Sequence, residues 1–273
     1  MIYWRNRMAK KKKTQAKVLS QRMLADGICD LWLETTLAEH VNPGQFVGVY
    51  PANAAALLPR PISICRVDED RKALRLVYRI VGKGTAEFAL YQPGEYLSVL
   101  GILGNGFPME QAAGKKVMLM GGGIGVPPLL ELAAQLKRLP EDRRPAAVSI
   151  VMGYRDAQTF LKEEFEENGT LYIATEDGSV GTRGNVLDAV RENQIEADVI
   201  YACGPMPMLR AIKKYAQENQ IQAYISLEER MACGVGACLG CVCKTVHKDA
   251  HSHVNNTRIC TDGPVFNAED VDI

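Results

Sequence analysis

Lys116-Val-Met-Leu-Met-Gly-Gly-Gly-Ile-Gly-Val-Pro-Pro-Leu-Leu-Glu-Leu-Ala-Ala-Gln-Leu136 reads as a short strand, a glycine turn and the opening of a helix. The apolar run ends in glycines, and Leu129, Leu132, Ala133 and Leu136 then recur at helical spacing. Pro127 and Pro128 suit a first helical turn, where a missing N–H costs nothing. The same alternation continues downstream. Strands are expected over 147–152, 170–174, 198–202 and 222–227, with helices near 160–167, 184–192 and 206–218. Repeated strand–helix units predict an α/β domain with a doubly wound parallel sheet, placed at residues 113–226.

Upstream, the period changes. Gly27 to Glu34, Gln45 to Tyr50 and Ala73 to Ile80 alternate apolar and polar residues, and Asn42-Pro-Gly44 and Gln92-Pro-Gly94 punctuate them as turns. Many short strands with turn signals predict an antiparallel β-barrel over residues 15–112. Residues 1–14 form a basic tail. Arg5, Arg7 and Lys10 to Lys13 lie in the first 20 residues, which hold no acid, although the whole chain has zero net charge. One short run of this kind reads as solvated, not as a nucleic-acid or lipid contact. No apolar run approaches the roughly 20 residues that cross a bilayer. The N-terminus lacks the apolar core of a secretory signal. A cytoplasmic protein without membrane or nucleic-acid partners is expected.

The chain has eight cysteines, four of them between positions 233 and 243. Without a secretory signal, so tight a group suggests metal and not disulfides. The spacing is Cys233-x4-Cys238-x2-Cys241, with Cys243 and Cys260 beyond. It follows the plant-type pattern for a 2Fe–2S cluster, in which one loop supplies three thiolates and a remote element closes the shell. Gly234, Gly236 and Gly240 interleave the ligands, so the backbone can wrap closely and aim N–H groups at sulfur. If Cys241 and Cys243 share one face of a strand, Cys243 sits about 6.6 Å further along it. Cys260 is therefore preferred as fourth ligand. Zinc is the alternative metal, but it favours paired C-x2-C knuckles and only one is present. Residues 227–273 form a small cluster domain, too short to bury much core alone, whose stability a metal centre would supplement.

Other stretches suggest cofactors. Arg60-Pro-Ile-Ser63, placed between two candidate barrel strands, offers an arginine for a flavin pyrophosphate and a hydroxyl for the isoalloxazine. Tyr78 and Arg79 could stack on and bind the same group. Gly82-Lys-Gly-Thr85 leads into a short helix suited to phosphate. Gly121, Gly122, Gly123 and Gly125 end one strand, and Cys203-Gly204-Pro205 ends another; both turns lie where such sheets bind nucleotides. The alternative for the first is a tight turn without ligand, and for Cys203 an ordinary buried thiol. Tyr154-Arg-Asp156 offers both charges near the expected adenosine site, so charge alone leaves NAD against NADP open.

The order R-P-x-S, G-T, G-G-G-I-G, C-G-P and C-x4-C-x2-C resembles the ferredoxin-reductase superfamily. More narrowly, Ser226-Leu-Glu-Glu-Arg-Met-Ala-Cys-Gly-Val-Gly-Ala-Cys-Leu-Gly-Cys-Val-Cys243, with His251-Ser-His253 and Asp262-Gly-Pro-Val-Phe266, resembles the electron-transfer subunits of dihydroorotate dehydrogenase B. The likeness covers roughly residues 15–270. It implies an FMN-containing dihydroorotate dehydrogenase catalytic subunit as partner, in a heterotetramer of two of each. Electrons would pass from that FMN through the 2Fe–2S cluster to FAD and then, as hydride, to NAD+, in pyrimidine biosynthesis. Arg60, Pro61, Ile62, Ser63, Val77, Tyr78, Arg79, Gly84 and Thr85 would hold FAD, and Cys233, Cys238, Cys241 and Cys260 the cluster. A related reductase subunit serving another redox partner is the alternative. FAD is needed between one-electron and hydride carriers. No catalytic acid–base residue is expected: His40, His247, His251 and His253 form no nucleophile–His–acid set.

Overall fold

The computed structural model describes residues 11–53, 55–248 and 253–273. Six strands close an antiparallel barrel in the order β1-β2-β5-β4-β3-β6: β1 Lys12–Ala25, β2 Ile28–Glu34, β3 Phe46–Tyr50, β4 Arg60–Val67, β5 Ala73–Arg79 and β6 Tyr96–Leu103. β1 is long enough to close it. Its first half pairs with β6 and its second with β2, with bulges near Val18 and Met23. Asn42-Pro-Gly44 and Gln92-Pro-Gly94 are tight turns, with glycine φ values of +96° and +97°. Leu31, Leu33, Leu74, Leu76, Phe88 and Leu97 fill the interior. α1 (Lys83–Phe88) caps the barrel after β5.

Arg60-Pro-Ile-Ser63 lies between β3 and β5 as expected and itself opens a further strand, β4, with Pro61 opposite Gly48 near the strand start, where a missing N–H costs least. One expectation changes here. The basic tail is shorter than residues 1–14. Lys12, Lys13 and Thr14 pair with Gly101, Leu100 and Val99, and Lys13 lies over the Tyr50 ring. Alternation outweighs charge there, because edge lysines keep their ammonium groups in water. Residues 1–10 lie outside the described ones.

The second domain is a seven-stranded sheet in the order β10-β9-β8-β7-β11-β12-β15. Its strands are β7 Lys116–Gly122, β8 Ala147–Tyr154, β9 Thr170–Thr175, β10 Thr182–Arg183, β11 Val199–Cys203, β12 Gln222–Ser226 and β15 Val265–Asn267. α2 (Pro128–Arg138) and α3 (Lys162–Glu166) pack on one face, with the barrel. α4 (Val186–Glu192) and α5 (Met206–Glu218) pack on the other. All neighbours pair in parallel except β15, which is antiparallel to β12. The expected sheet is therefore present with an added edge strand drawn from the cysteine segment. The segment has a small ribbon, β13 (Val242–Lys244) with β14 (Asn256–Arg258), and among the described residues no core of its own. Cys241, Ile259, Cys260 and Val271 are buried in the same cluster as Leu209 and Ile225.

Two buried polar contacts fix the barrel on the sheet domain. Arg75 on β5, 3% exposed, reaches Asp30 on β2 (2.8 and 3.0 Å) and Glu164 on α3 (2.6 Å). Glu131 on α2 accepts the Val67 N–H at 3.0 Å and pairs with Arg66 at 3.7 Å. A charge buried with two partners is tolerated because its desolvation is offset geometrically.

Candidate functional site

The turns after β7 and β11 meet at the centre of the sheet, where successive helices change faces, the usual ligand position in such sheets. Glycine is needed there for close approach. A Cβ on Gly125 would overlap the Cys203 carbonyl and the Gly204 amide, and one on Gly122 would overlap Met208. Gly123 takes φ +55° with open space before it. An 830 Å³ cavity opens at this point, and Gly122, Gly123 and Pro205 line it. Gly121, Gly125, Cys203 and Gly204 do not; their small size serves protein packing. Arg155, Asp156, Glu176 and Arg191 also line it. The barrel supplies the opposite wall through Asp26, Ile28 and Arg79, and the Asp26 N–H donates to Gln158 at 2.8 Å.

A second cavity, of 1030 Å³, lies between the barrel and the segment 226–231. Arg60, Pro61, Ile62, Ser63, Val77, Tyr78, Arg79 and Thr85 all line it, so the two expected flavin stretches converge. Gly84 is not in the wall, yet it shapes it: a Cβ there would overlap the Arg60 guanidinium. Thr85 Oγ1 accepts the Val81 and Gly82 N–H groups at 2.9 and 3.2 Å, ordering the entry to α1. Tyr78 contributes little surface. It is 3% exposed, its ring meets Phe88 edge-on, and its hydroxyl lies inside the barrel beside Cys29. The cavity's size, its three arginines and its apolar walls suit a large flavin nucleotide. Arg79 lines both cavities, and Ile124, next to Gly123, reaches the second. The two spaces thus share a wall.

The cysteines follow directly after Met231, the last residue of the segment that lines the second cavity. Cys233 lies beside Cys238, and Cys241 beside Cys260, with Cys260 also close enough to feel Cys233. Among the described residues no three His, Cys, Asp or Glu side chains converge on a single point. Two pairs of thiols would supply one pair per iron to a binuclear centre, whereas a single zinc would need one tetrahedral group. Backbone N–H groups of Val235 and Ala237 point at Cys233 Sγ (3.4 and 3.3 Å), and that of Gly240 at Cys238 Sγ (3.4 Å). Burial opposes ionisation of Cys233, but these donors outweigh it and hold its thiol at about 6. Gly234 and Gly236 take φ +67° and +85°, as wrapping required. Cys243 instead lies on β13 and packs against the core; burial raises its thiol to about 11. His253 is exposed and takes φ +56°, while His251 falls outside the described residues.

Two residues at this junction were not singled out from sequence. Asn105 clamps the barrel to the cysteine segment: its Nδ2 donates to Asp262 O (3.0 Å) and Val265 O (2.8 Å), and its Oδ1 accepts from Val265 N (3.0 Å). A lone asparagine after a strand carries no sequence signal for such a role. Glu228 is exposed in the lining of the second cavity, and desolvation by the protein around it raises its carboxyl above the usual range. Cys203 is a buried thiol pushed well above its ordinary value by burial.

Residues 228–272 match the family described as the iron-sulfur cluster binding domain of dihydroorotate dehydrogenase B, and residues 119–214 match the oxidoreductase NAD-binding domain. The dihydroorotate dehydrogenase B (NAD(+)) electron transfer subunit of Geobacillus sp. (strain WCH70) is 44% identical over 264 residues, covering 95% of this chain and 98% of its own. That of Bacillus caldolyticus is 46% identical over 258 residues, covering 93% and 96%. Among solved structures, a chain of an NADH-dependent reduced ferredoxin–NADP oxidoreductase, studied for flavin-based electron bifurcation, superposes with a TM-score of 0.82 at 27% identity, covering 96% of this chain and 91% of that one. With end-to-end identity of this order, a ferredoxin-reductase-like fold and an iron-sulfur module at its C-terminal end, the chain belongs to the electron-transfer subunits of dihydroorotate dehydrogenase B, oxidoreductase components that work with NAD and a catalytic partner subunit.

Proposed function

We propose that this chain carries electrons from the FMN of a dihydroorotate dehydrogenase catalytic subunit through a 2Fe–2S cluster and FAD to NAD+, in a cytoplasmic heterotetramer of two of each subunit. Cys233, Cys238, Cys241 and Cys260 hold the cluster. Arg60 to Ser63, Val77 to Arg79, Gly84 and Thr85 hold FAD. Gly122, Gly123 and Pro205 meet NAD, with Gly121, Gly125, Cys203 and Gly204 shaping the turns behind them. The carrying observation is the order of the spaces: the cysteine segment walls the flavin cavity on one side, and Arg79 and the turn 121–125 join it to the nucleotide cavity on the other.

The flavin supplies the exchange between single electrons and hydride. The protein's part is placement. Arg60 offers charge to a pyrophosphate, and Ser63 offers a hydroxyl. The N–H groups around Cys233 and Cys238 favour anionic sulfur and so help set the potential of the cluster. Anaerobically purified protein should be coloured, with one FAD and two irons per chain. Mixed with an FMN-bearing partner, it should reduce NAD+ on addition of dihydroorotate. Colourless, iron-free material would overturn the reading.

A further inference from the structure

Cys260 comes from a different loop than Cys233, Cys238 and Cys241, so the cluster site proposed above needs a device that holds two loops in register. Backbone bonds supply part of it. The Ile259 N–H donates to Cys241 O at 2.9 Å. The Thr261, Asp262 and Gly263 N–H groups converge on Arg258 O (3.2, 2.8 and 3.3 Å), so residues 258–263 fold into a tight turn around Cys260.

The Arg258 side chain closes that turn and then leaves it. Its backbone N–H and its Nε donate to Asp262 Oδ2 at 3.0 and 3.2 Å, and Nη2 donates to Oδ1 at 3.5 Å. The Thr257 and Thr261 hydroxyls donate to the same carboxylate at 3.1 and 3.2 Å. Asp262 therefore occupies one edge of the guanidinium and fixes its direction. Nη1, on the free edge, donates to Gly236 O at 3.3 Å, in the loop between Cys233 and Cys238. Gly236 takes φ +85°, and a Cβ there would overlap the Thr261 methyl group, so the two loops lie in direct contact. Arg258 is always charged. It stands near enough to the Cys241 and Cys260 sulfurs for their charges to interact. One-electron reduction makes the cluster and its thiolates one charge more negative. A fixed cation beside them stabilises the reduced form more than the oxidised one, and so raises the potential. Arg258 and Asp262 are both partly exposed, so water and salt weaken that effect without removing it.

Resting on that cluster site, we propose that Arg258 is a positioning residue that joins the two cysteine loops and holds up the reduction potential of the cluster, with Asp262 as the opposing charge that aims it. The test is a redox titration of the assembled, FAD- and iron-loaded complex, followed by the paramagnetic signal of the reduced cluster. In Arg258→Gln the ratio of reduced to oxidised cluster at a fixed ambient potential should fall at least ~3-fold, ~28 mV for one electron. Asp262→Asn should move it the opposite way. Arg258→Lys keeps the charge and should keep most of the parental value. All shifts should shrink as salt is raised. An Arg258→Gln complex with full iron and the parental potential overturns the proposal. So do shifts of one sign in Arg258→Gln and Asp262→Asn, or shifts indifferent to salt, which mark a merely reshaped loop. Where Arg258→Gln holds too little iron to titrate, Asp262→Asn decides: a potential at or below the parental one overturns the proposal, and a salt-sensitive rise supports it. A parental complex without a reduced-cluster signal would instead overturn the site reading itself, so the two failures are distinguishable.

Discussion

Cys238 is the exposed member of the four clustered thiols, whereas Cys241 and Cys260 are buried among core residues. Replacing it removes a ligand without opening the core. Cys238→Ala should lose iron and acid-labile sulfide yet keep FAD, read by metal analysis and the flavin absorbance band. Full iron in that variant would refute the ligand set. Cys243→Ala should keep its iron, because that side chain packs against the core from β13 and belongs to neither thiol pair. Glu228 has a consequence of its own for stability. Its carboxyl binds a proton more tightly folded than unfolded, since desolvation disfavours the charge. Stability from that source is fully present below the ordinary carboxylate value and falls as pH rises through the raised one. Glu228→Gln should therefore melt higher than the parent at neutral pH and alike near about pH 4, read as Tm across a pH series.

At the scale of elements, the two βα turns were legible as glycine-rich strand ends, but their division of labour was not. Gly122 and Gly123 meet the cavity, while Gly125 lets one turn lie on the backbone of the other. Gly125→Ala should force Cys203 and Gly204 away. A cost of about 1–3 kcal/mol is expected for overpacking at a rigid site, with NADH affinity lowered in a titration and FAD content unchanged. β4 shows the converse. Arg60-Pro-Ile-Ser63 was placed between two candidate strands and carries no clear alternation of its own, yet its residues pair with β3. Local propensity lost to barrel closure, which needs a strand between β3 and β5.

Over the whole molecule, the barrel and the sheet are held in one geometry by the Asp30–Arg75–Glu164 triad and by Glu131. Arg75→Met would strand Asp30, 2% exposed, with only the solvent-exposed Arg22 as partner. A loss of about 3 kcal/mol is expected in chemical denaturation. Glu164→Gln should cost far less, because Glu164 is partly exposed. Both cavities lie at the barrel–sheet boundary, so the surviving Arg75→Met protein should also show slower hydride transfer than its FAD content predicts. The cysteine segment has no separate core and contributes β15 to the sheet. Chelating its iron should therefore destabilise the nucleotide domain as well, seen as one shared unfolding transition and not two.

Periodicity and turn residues alone determined the barrel, the parallel sheet and the cysteine loop, because alternation, helical spacing and ligand spacing are local properties of the chain. Tertiary structure decided what lies far apart in sequence. It set Cys260 beside Cys241, joined β15 to β12, and made Arg79 common to two cavities. It also set Glu228 in a cavity wall, where desolvation by the surrounding protein raises its proton affinity. Burial and long-range contact arise only when segments distant in sequence exclude water together, and no short stretch of residues encodes that.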